Sequence, residues 1–308
     1  MKPKQSIPKE LRYTVADFNA EFPNDDSCLE YVKEERWPKG IVLCARCGKK
    51  RKHYRVTGRT AYACDHCGNH IYPLAGTIFE KSTTSLRLRF YAMYLMGSTR
   101  CGISAKQIQR ETGVTYKTAW RMFRQIRTLL SDDQPLEGPA VEIDEMYYGG
   151  RRKYGSGRPM RGDLTKSPVV GIVQRKGKVI AKATKDVSGA TMLGMVREYV
   201  LPASTIYTDE MRSYDGIGTM LGKDGKPAGY VHRRIRHNSK VYVIGNVHTN
   251  TVEGFWSLIK RGIGGVYHSV SQKYLQSYLD EYSVRYNRRE MGNQQFRAIL
   301  QRVSEQAS

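Results

Sequence analysis

Three acidic side chains of this sequence occupy positions suited to metal-dependent chemistry. Asp144 interrupts an alternating apolar segment typical of a strand, Asp209 ends a second apolar run, and Glu253 lies on a helix-like segment. An acid within a strand is costly to bury unless it is paired or bound to a cation, and converging carboxylates repel one another. Two divalent metal ions remove this conflict, because carboxylate oxygens suit Mg²⁺ or Mn²⁺. Two such ions about 4 Å from each other stabilise both the attacking and the leaving oxygen of a phosphoryl transfer. The pattern therefore favours two-metal phosphoryl transfer.

Three neighbouring acids compete for the same role: Glu142, Glu145 and Glu210. Strand alternation predicts that Glu142 shares a face with Asp144 and that Glu145 points away, so Glu142 is the more serious rival. Glu210 is expected to begin a short helix.

Glu253 has two interpretations. Trp256 and Lys260 follow it by three and seven residues, so all three side chains share one face of a helix. Asn250 precedes it by three residues, which is also the spacing of a capping box at a helix start. The stretch alone favours the cap, and the two upstream acids favour catalysis.

Four of the six cysteines form two C-x-x-C pairs: Cys44 and Cys47, then Cys64 and Cys67. Without a secretion signal, paired cysteines favour a metal site over disulfides. A β-hairpin turning at Thr57-Gly58 would bring the pairs together, so that four thiolates hold one structural Zn²⁺ and leave no position open for catalysis. The remaining cysteines, Cys28 and Cys101, are expected to be buried thiols. Three nearby histidines are expected at the surface: His53, His66 and His70.

The charge balance points to a polyanionic partner. The 308 residues contain 51 Lys and Arg against 29 Asp and Glu, a formal net charge of +22. Such an excess is typical of proteins that bind nucleic acid or an anionic surface. No apolar run approaches the roughly 18 to 20 residues that span a bilayer, and the N-terminus lacks an apolar signal core. A cytoplasmic, nucleoid-associated protein that binds DNA or RNA, without a membrane partner, is the expectation.

A helical segment follows the cysteine pairs. Ser104 and Thr115 are placed to cap two successive helices, with Gly113 in the turn between them, which is the helix-turn-helix layout. The outward face of the second helix would present four side chains to a DNA major groove: Tyr116, Lys117, Arg121 and Arg124. The alternative is a three-helix bundle with a solvated basic face, and the net charge favours DNA binding.

Changes of periodicity predict a multidomain α/β chain with an N-terminal zinc ribbon, a helix-turn-helix domain and an RNase H-like mixed-sheet catalytic domain. The order of three strands, helix, strand, helix, strand, helix gives the last assignment by analogy of fold. The expected boundaries are 1–38 (short helical segment), 39–80 (zinc ribbon), 81–132 (helix-turn-helix), 133–139 (linker), 140–290 (catalytic domain) and 291–308 (C-terminal tail). The long connection between the first two catalytic strands is either a mobile linker or a DNA-contacting flap, and it contains Arg151, Arg152 and Lys153.

Three stretches of this sequence resemble one known family. VEIDEMYYGG, IYTDE and HTNTVEGFWSLIKRGIGGVYHSVSQKYLQSYLDEYSVRYNRR are similar to the insertion-sequence DDE transposases that carry an N-terminal zinc ribbon, relatives of the Merlin-type elements. The resemblance covers nearly all of the chain from the ribbon to about residue 290. Some members have Asn in place of the third acid, whereas this sequence has Glu253.

The resemblance implies a transposase that binds terminal inverted repeats, cleaves 3′ ends and joins them to target DNA. It implies Asp144, Asp209 and Glu253 as the metal-binding triad and Lys260 as a helper base that faces DNA phosphate. His248 and Asn250 also match the pattern and are expected to line the site. A homodimer or larger assembly on double-stranded DNA is expected, because transposition pairs two ends. Two alternatives remain open: a structure-specific nuclease with the same metal chemistry, and a DNA-binding regulator with an inactive catalytic domain.

Overall fold

The computed structural model describes residues 8–99, 101–131, 134–149, 166–235 and 248–305. The chain forms two compact units, one of residues 1–129 and 290–308 and one of residues 130–289.

Short helices and a small antiparallel sheet begin the first unit. The sheet has the order β1-β2-β3-β4, and Gly58 turns the β2–β3 hairpin with a positive φ of 73°. The expected hairpin between the cysteine pairs is therefore confirmed. The elements are α1 (Val15–Glu21), α2 (Asp25–Arg36), β1 (Ile41–Leu43), β2 (Lys50–Arg55), β3 (Tyr62–Cys64) and β4 (His70–Ile71).

The described part of this unit also contains the helices α3 (Leu86–Ser98), α4 (Ala105–Thr112), α5 (Tyr116–Arg127) and α9 (Gln295–Glu305). Ser104 and Thr115 cap α4 and α5 through their side chains, and Gly113 ends α4 with a left-handed backbone. The last helix packs against α3, where a Cβ on Gly97 would lie 2.8 Å from the backbone nitrogen of Phe296. The segment expected to be a C-terminal tail thus contributes a helix to the core of the first unit.

A mixed sheet organises the second unit. Its strand order is β7-β6-β5-β8-β9, in which β5 pairs antiparallel with β6 and parallel with β8. One face of the sheet packs against α6 and the other against α7 and α8. The elements are β5 (Ala140–Tyr148), β6 (Ser167–Gln174), β7 (Val179–Ala183), α6 (Gly189–Tyr199), β8 (Thr205–Thr208), β9 (Val231–Arg234), α7 (Asn250–Gly262) and α8 (Leu275–Asn287).

Candidate active site

Two central, parallel strands carry the first two acids of the predicted triad. Asp144 lies on β5, and Asp209 follows directly after β8. Glu142 is opposite Tyr207 in the parallel register. Asp144 and Asp209 each lie two residues further along the chain from this pair. The backbone therefore brings Asp144 and Asp209 to neighbouring positions at one edge of the sheet.

The carboxylate of Asp144 is held by a side chain of α7. Trp256 Nε1 donates a hydrogen bond to Asp144 Oδ2 over 2.9 Å. Asp144 pairs across the sheet with Gly171, and a Cβ on that glycine would lie 2.5 Å from the Trp256 ring. The absence of a side chain at residue 171 therefore makes room for the indole that orients Asp144.

Negative charge is concentrated around Asp144. Burial, with smaller contributions from the nearby charges of Asp209 and Glu253, raises the pKa of its carboxyl to about 6, against the opposing effect of the Trp256 hydrogen bond. Glu145 shows the same effect, since burial and the charges of Asp209 and Asp144 raise its pKa to about 7. Asp209 and Glu253 therefore lie near enough to affect the Asp144 carboxyl, although the three acids do not gather their oxygens into one compact cluster in the described residues.

Local contacts orient Asp209 and Glu253. Asp209 Oδ1 accepts a hydrogen bond from the backbone N–H of Met211 over 2.9 Å. Glu253 is exposed, and its Oε1 accepts a hydrogen bond from Thr249 Oγ1 over 3.2 Å. Lys260 lies two turns further along α7 and is also exposed.

A reciprocal capping box of Asn250 and Glu253 does not form in the described residues. Thr249 is the N-cap residue of α7, and its side chain accepts no capping hydrogen bond. The carboxylate of Glu142 instead accepts hydrogen bonds from the backbone N–H groups of Thr251 (2.8 Å) and Val252 (3.1 Å). The cap thus comes from a neighbouring strand, which leaves Glu253 exposed to solvent.

Further contacts occupy the Glu142 carboxylate, which is fully buried. Its Oε1 accepts hydrogen bonds from Thr251 Oγ1 (2.9 Å) and Arg175 Nε (2.8 Å), and His248 Nδ1 lies 3.2 Å away. Glu142 and Asp144 both face α7, as strand alternation predicted, but the Glu142 oxygens already bind protein donors. Glu142 therefore positions α7 and is poorly placed to ligate a metal ion.

Arg175 extends this network. Its Nη2 donates a hydrogen bond to the backbone oxygen of His248 over 2.6 Å, and its guanidinium lies 3.8 Å from the centre of the Tyr207 ring. Arg175 thereby links the segment before α7 to β5 and β8. The role of Arg175 was not predictable from the sequence, because a single arginine after a strand carries no motif.

The other rival acids lie elsewhere. Glu145 faces α6, as predicted, and accepts a hydrogen bond from the buried Tyr214 hydroxyl over 2.9 Å. Glu210 lies in a bend and no helix begins there, since the next helical turn is the 3-10 segment Arg212–Tyr214. His248 is half-buried against Glu142, whereas Asn250 is exposed at the start of α7.

The four predicted cysteines of the first unit converge. Their Sγ atoms all lie within 4.8 Å of one another, and within the described ranges they are the one group of three or more His, Cys, Asp or Glu gathered in this way. Gly48 and Gly68 follow the two pairs with positive φ angles of 66° and 67°, which lets each loop fold back around its sulfurs. Backbone N–H groups directed at Cys44, chiefly that of Cys47, contribute to lowering its thiol pKa to about 6.

This donor set indicates a structural zinc site, because four thiolates satisfy a tetrahedral Zn²⁺ completely. Its surroundings correct two expectations. His53 is 4 % exposed, because it faces the buried side of the sheet opposite Cys64. Cys101 is exposed, whereas Cys28 is buried as expected.

The predicted DNA-facing residues of α5 share a solvent-exposed face: Tyr116, Lys117, Arg121 and Arg124. The opposite face of α5 packs into the core of the first unit through Ala119, Met122, Phe123 and Ile126. The basic residues Arg151, Arg152 and Lys153 lie outside the described residues. No helix in the described part of the chain combines the length and the apolar character needed to cross a membrane.

Comparison with known proteins finds two domain families and related transposable-element proteins. Residues 135–287 match the ISXO2-like transposase domain, and residues 23–70 match the transposase zinc-ribbon domain. An uncharacterized protein in transposable element ISH50 of Halobacterium salinarum is 30% identical over 285 residues, which cover 86% of this chain and 91% of that protein. An uncharacterized transposase-like protein of Haemophilus influenzae is 29% identical over 119 residues, which cover 39% of this chain and 89% of that protein.

These matches define the class of protein as an insertion-sequence transposase with a zinc ribbon and a DDE-type domain. The chain belongs to the ISXO2-like transposase family. Membership of this family implies that it acts on DNA.

Proposed function

We propose that this chain binds the terminal inverted repeats of an insertion sequence, cleaves their 3′ ends and joins them to target DNA by two-metal chemistry. The observation that carries the proposal is the placement of Asp144 and Asp209 at neighbouring positions of two parallel strands, with α7, the helix of Glu253, bonded to Asp144 through Trp256. The proposal also includes the RNase H-like fold for the second unit, supported by three antiparallel strands followed by two parallel ones.

The proposed metal ligands suit hard divalent cations. Carboxylate oxygens are preferred by Mg²⁺ and Mn²⁺, and the raised pKa of Asp144 reflects first its burial and then the neighbouring negative charges, both of which a bound cation would offset. When bound, two such ions would activate the attacking hydroxyl and stabilise the leaving oxygen.

The protein side chains have separate roles in this proposal. Asp144 and Asp209 provide oxygens from the sheet, and Glu253 provides them from the exposed face of α7. Trp256 fixes the orientation of Asp144 through its indole N–H. Lys260, on the same helix, pairs with a DNA phosphate near the scissile bond, and His248 and Asn250 line the DNA approach.

Recognition of the ends is assigned to the first unit. The zinc ribbon and the α4–α5 helix pair form a helix-turn-helix-containing module whose basic α5 face enters a major groove. We assign a second DNA contact to Arg151, Arg152 and Lys153 in the connection between β5 and β6. A homodimer or larger assembly pairs the two ends.

A strand-transfer assay separates this function from its alternatives. A pre-nicked duplex from the ends of the element is mixed with target plasmid, purified protein and Mg²⁺ or Mn²⁺. A transposase yields end–plasmid joined product, a nuclease yields only shortened strands, and a regulator protects the ends without cutting them. Joined product that requires the metal supports the proposal, and cleavage without joining under every metal contradicts it.

A further inference from the structure

A cavity of about 240 Å³ opens in the first unit near the start of α3. Its size gives room for several water-sized groups. Its walls come from α2, β2, α3 and the segment before α3, and its polar lining includes Asp25, Asp26, Arg55, Ser82, Ser85 and Arg89.

One lining side chain is a buried arginine with free donors. Arg89 is 2 % exposed, and its Nη1 donates a hydrogen bond to the backbone oxygen of Ile78 over 2.9 Å. Its Nε and Nη2 are buried and have no hydrogen-bond partner among the described residues. A buried cation with unpaired donors is costly, so a negatively charged acceptor is the group that would complete this site.

The two carboxylates of the cavity already bind other groups. Asp25 Oδ1 accepts hydrogen bonds from Ser85 Oγ (2.6 Å) and from the backbone N–H of Arg87 (2.8 Å). Asp26 pairs with Arg55 over 2.6 Å. Neither acid makes a hydrogen bond to Arg89, so its buried Nε and Nη2 have no acceptor from the carboxylates of the cavity wall.

A second arginine reaches the same wall from α5. Arg121 Nη2 donates a hydrogen bond to Ser82 Oγ over 3.4 Å. Burial lowers the pKa of Arg89 to about 10, and the nearby positive charge of Arg121 adds to this effect. An anion bound near both side chains would offset this repulsion.

We propose that this cavity binds a phosphate group of the DNA backbone through Arg89, Arg121 and the hydroxyl of Ser82. The Nε–Nη2 edge of a guanidinium is the pair of parallel donors that binds two phosphate oxygens at once. The source of the phosphate rests on the proposed function, because Arg121 belongs to the α5 face assigned to DNA. The contact fixes the position of the duplex without reading its sequence.

Inorganic phosphate tests the cavity directly. The melting temperature of the full chain is followed as sodium phosphate replaces sodium chloride up to about 50 mM at constant ionic strength, since a ligand of the folded state raises it. We expect the melting temperature to rise for the wild type and not for Arg89→Met, because this substitution replaces the unpaired guanidinium with an unbranched apolar side chain. Arg121→Ala, an exposed substitution, should weaken the rise, and Lys81→Ala should leave it unchanged, because Lys81 is exposed and does not line the cavity.

End-duplex binding tests the source of the phosphate. Anisotropy titrations over a salt series should show that Arg89→Met lowers the slope of log K against log salt by about 1, the loss of one phosphate contact. An unchanged slope together with a lost phosphate response identifies a free-anion site and overturns the DNA assignment. A phosphate response that is absent in the wild type, or equal in Arg89→Met, overturns the cavity assignment. A wild type that binds phosphate but no DNA contradicts the proposed function and leaves the cavity as an anion site.

Discussion

The indole Nε1 of Trp256 donates a 2.9 Å hydrogen bond to Oδ2 of Asp144, which joins the core of the second unit to the proposed catalytic acid. Trp256 is 4 % exposed and packs among the apolar residues that α7 and α8 bury against the sheet. Because the ring is fixed by this packing, it fixes one oxygen of Asp144. The position of the carboxylate therefore depends on how α7 packs on β5 and β6.

Gly171→Ala tests this dependence. The added Cβ would lie 2.5 Å from the Trp256 ring, so the indole must move away from Asp144. We expect a loss of stability of about 1–3 kcal/mol, typical of an overpacked core, and a fall in strand joining of at least about tenfold. Urea unfolding and the joining assay measure the two effects. Gly194→Ala is the control, since a Cβ there would have no atom of the described structure within 4 Å. Wild-type stability and joining activity in both variants would contradict the account.

Glu142→Ala tests the role of the rival acid. The substitution leaves Arg175 without its buried partner and removes the acceptor for the first N–H groups of α7, so a loss of about 3–5 kcal/mol is expected in urea unfolding. Glu142→Gln keeps the shape and one acceptor oxygen and should lose less. Metal titration of Glu142→Gln should still show binding. Complete loss of metal binding in a stably folded Glu142→Gln would instead make Glu142 a ligand.

Local sequence patterns predicted the features that neighbouring residues determine. Alternation along β5 placed Glu142 and Asp144 on the α7 face and Glu145 on the α6 face. The cysteine spacing predicted the four-sulfur cluster, because each knuckle is set by the few residues around its own glycine.

Contacts between distant segments were not predictable in the same way. The cap of α7 comes from Glu142, which lies 109 residues before Thr251 in the chain. The capping box suggested by the spacing of Asn250 and Glu253 was therefore wrong. The prediction that His53 lies at the surface was wrong, because its burial depends on which face of the assembled sheet is covered. The strand order and the role of Arg175 likewise require the assembled sheet.

The metal-free protein should show a characteristic pH dependence through Asp144. Its pKa is raised from 3.8 to about 6, so the folded state retains a proton that the unfolded state releases. This acid therefore favours folding below about pH 4, and that contribution is lost as the pH rises towards about 6. Asp144→Asn, measured with chelator present, should melt on the order of 2 °C above the wild type near pH 8 and match it near pH 4. A variant that is equally less stable at both pH values would contradict the electrostatic assignment.

The zinc assignment predicts a separable loss of structure in the first unit. Cys44→Ser should lower the bound zinc from about one ion per chain towards zero and unfold the small β-sheet, because metal binding supplies folding free energy there. Elemental analysis and circular dichroism measure these changes. Cys101→Ser is the matched control, since this exposed cysteine lies outside the cluster. Full zinc content in Cys44→Ser would show that the cluster is not the metal site.

The most direct test of the catalytic triad compares 3′-end cleavage and joining by the wild type with Asp144→Asn, Glu253→Gln and the surface control Glu198→Gln, in Mg²⁺ and in Mn²⁺. All four proteins should bind end DNA equally. Both triad variants should lose at least about a thousandfold in rate, because each removes a charged ligand from the proposed metal site, and the control should retain full activity. Metal-dependent joining at the wild-type rate by Asp144→Asn or Glu253→Gln would contradict the assignment of the triad.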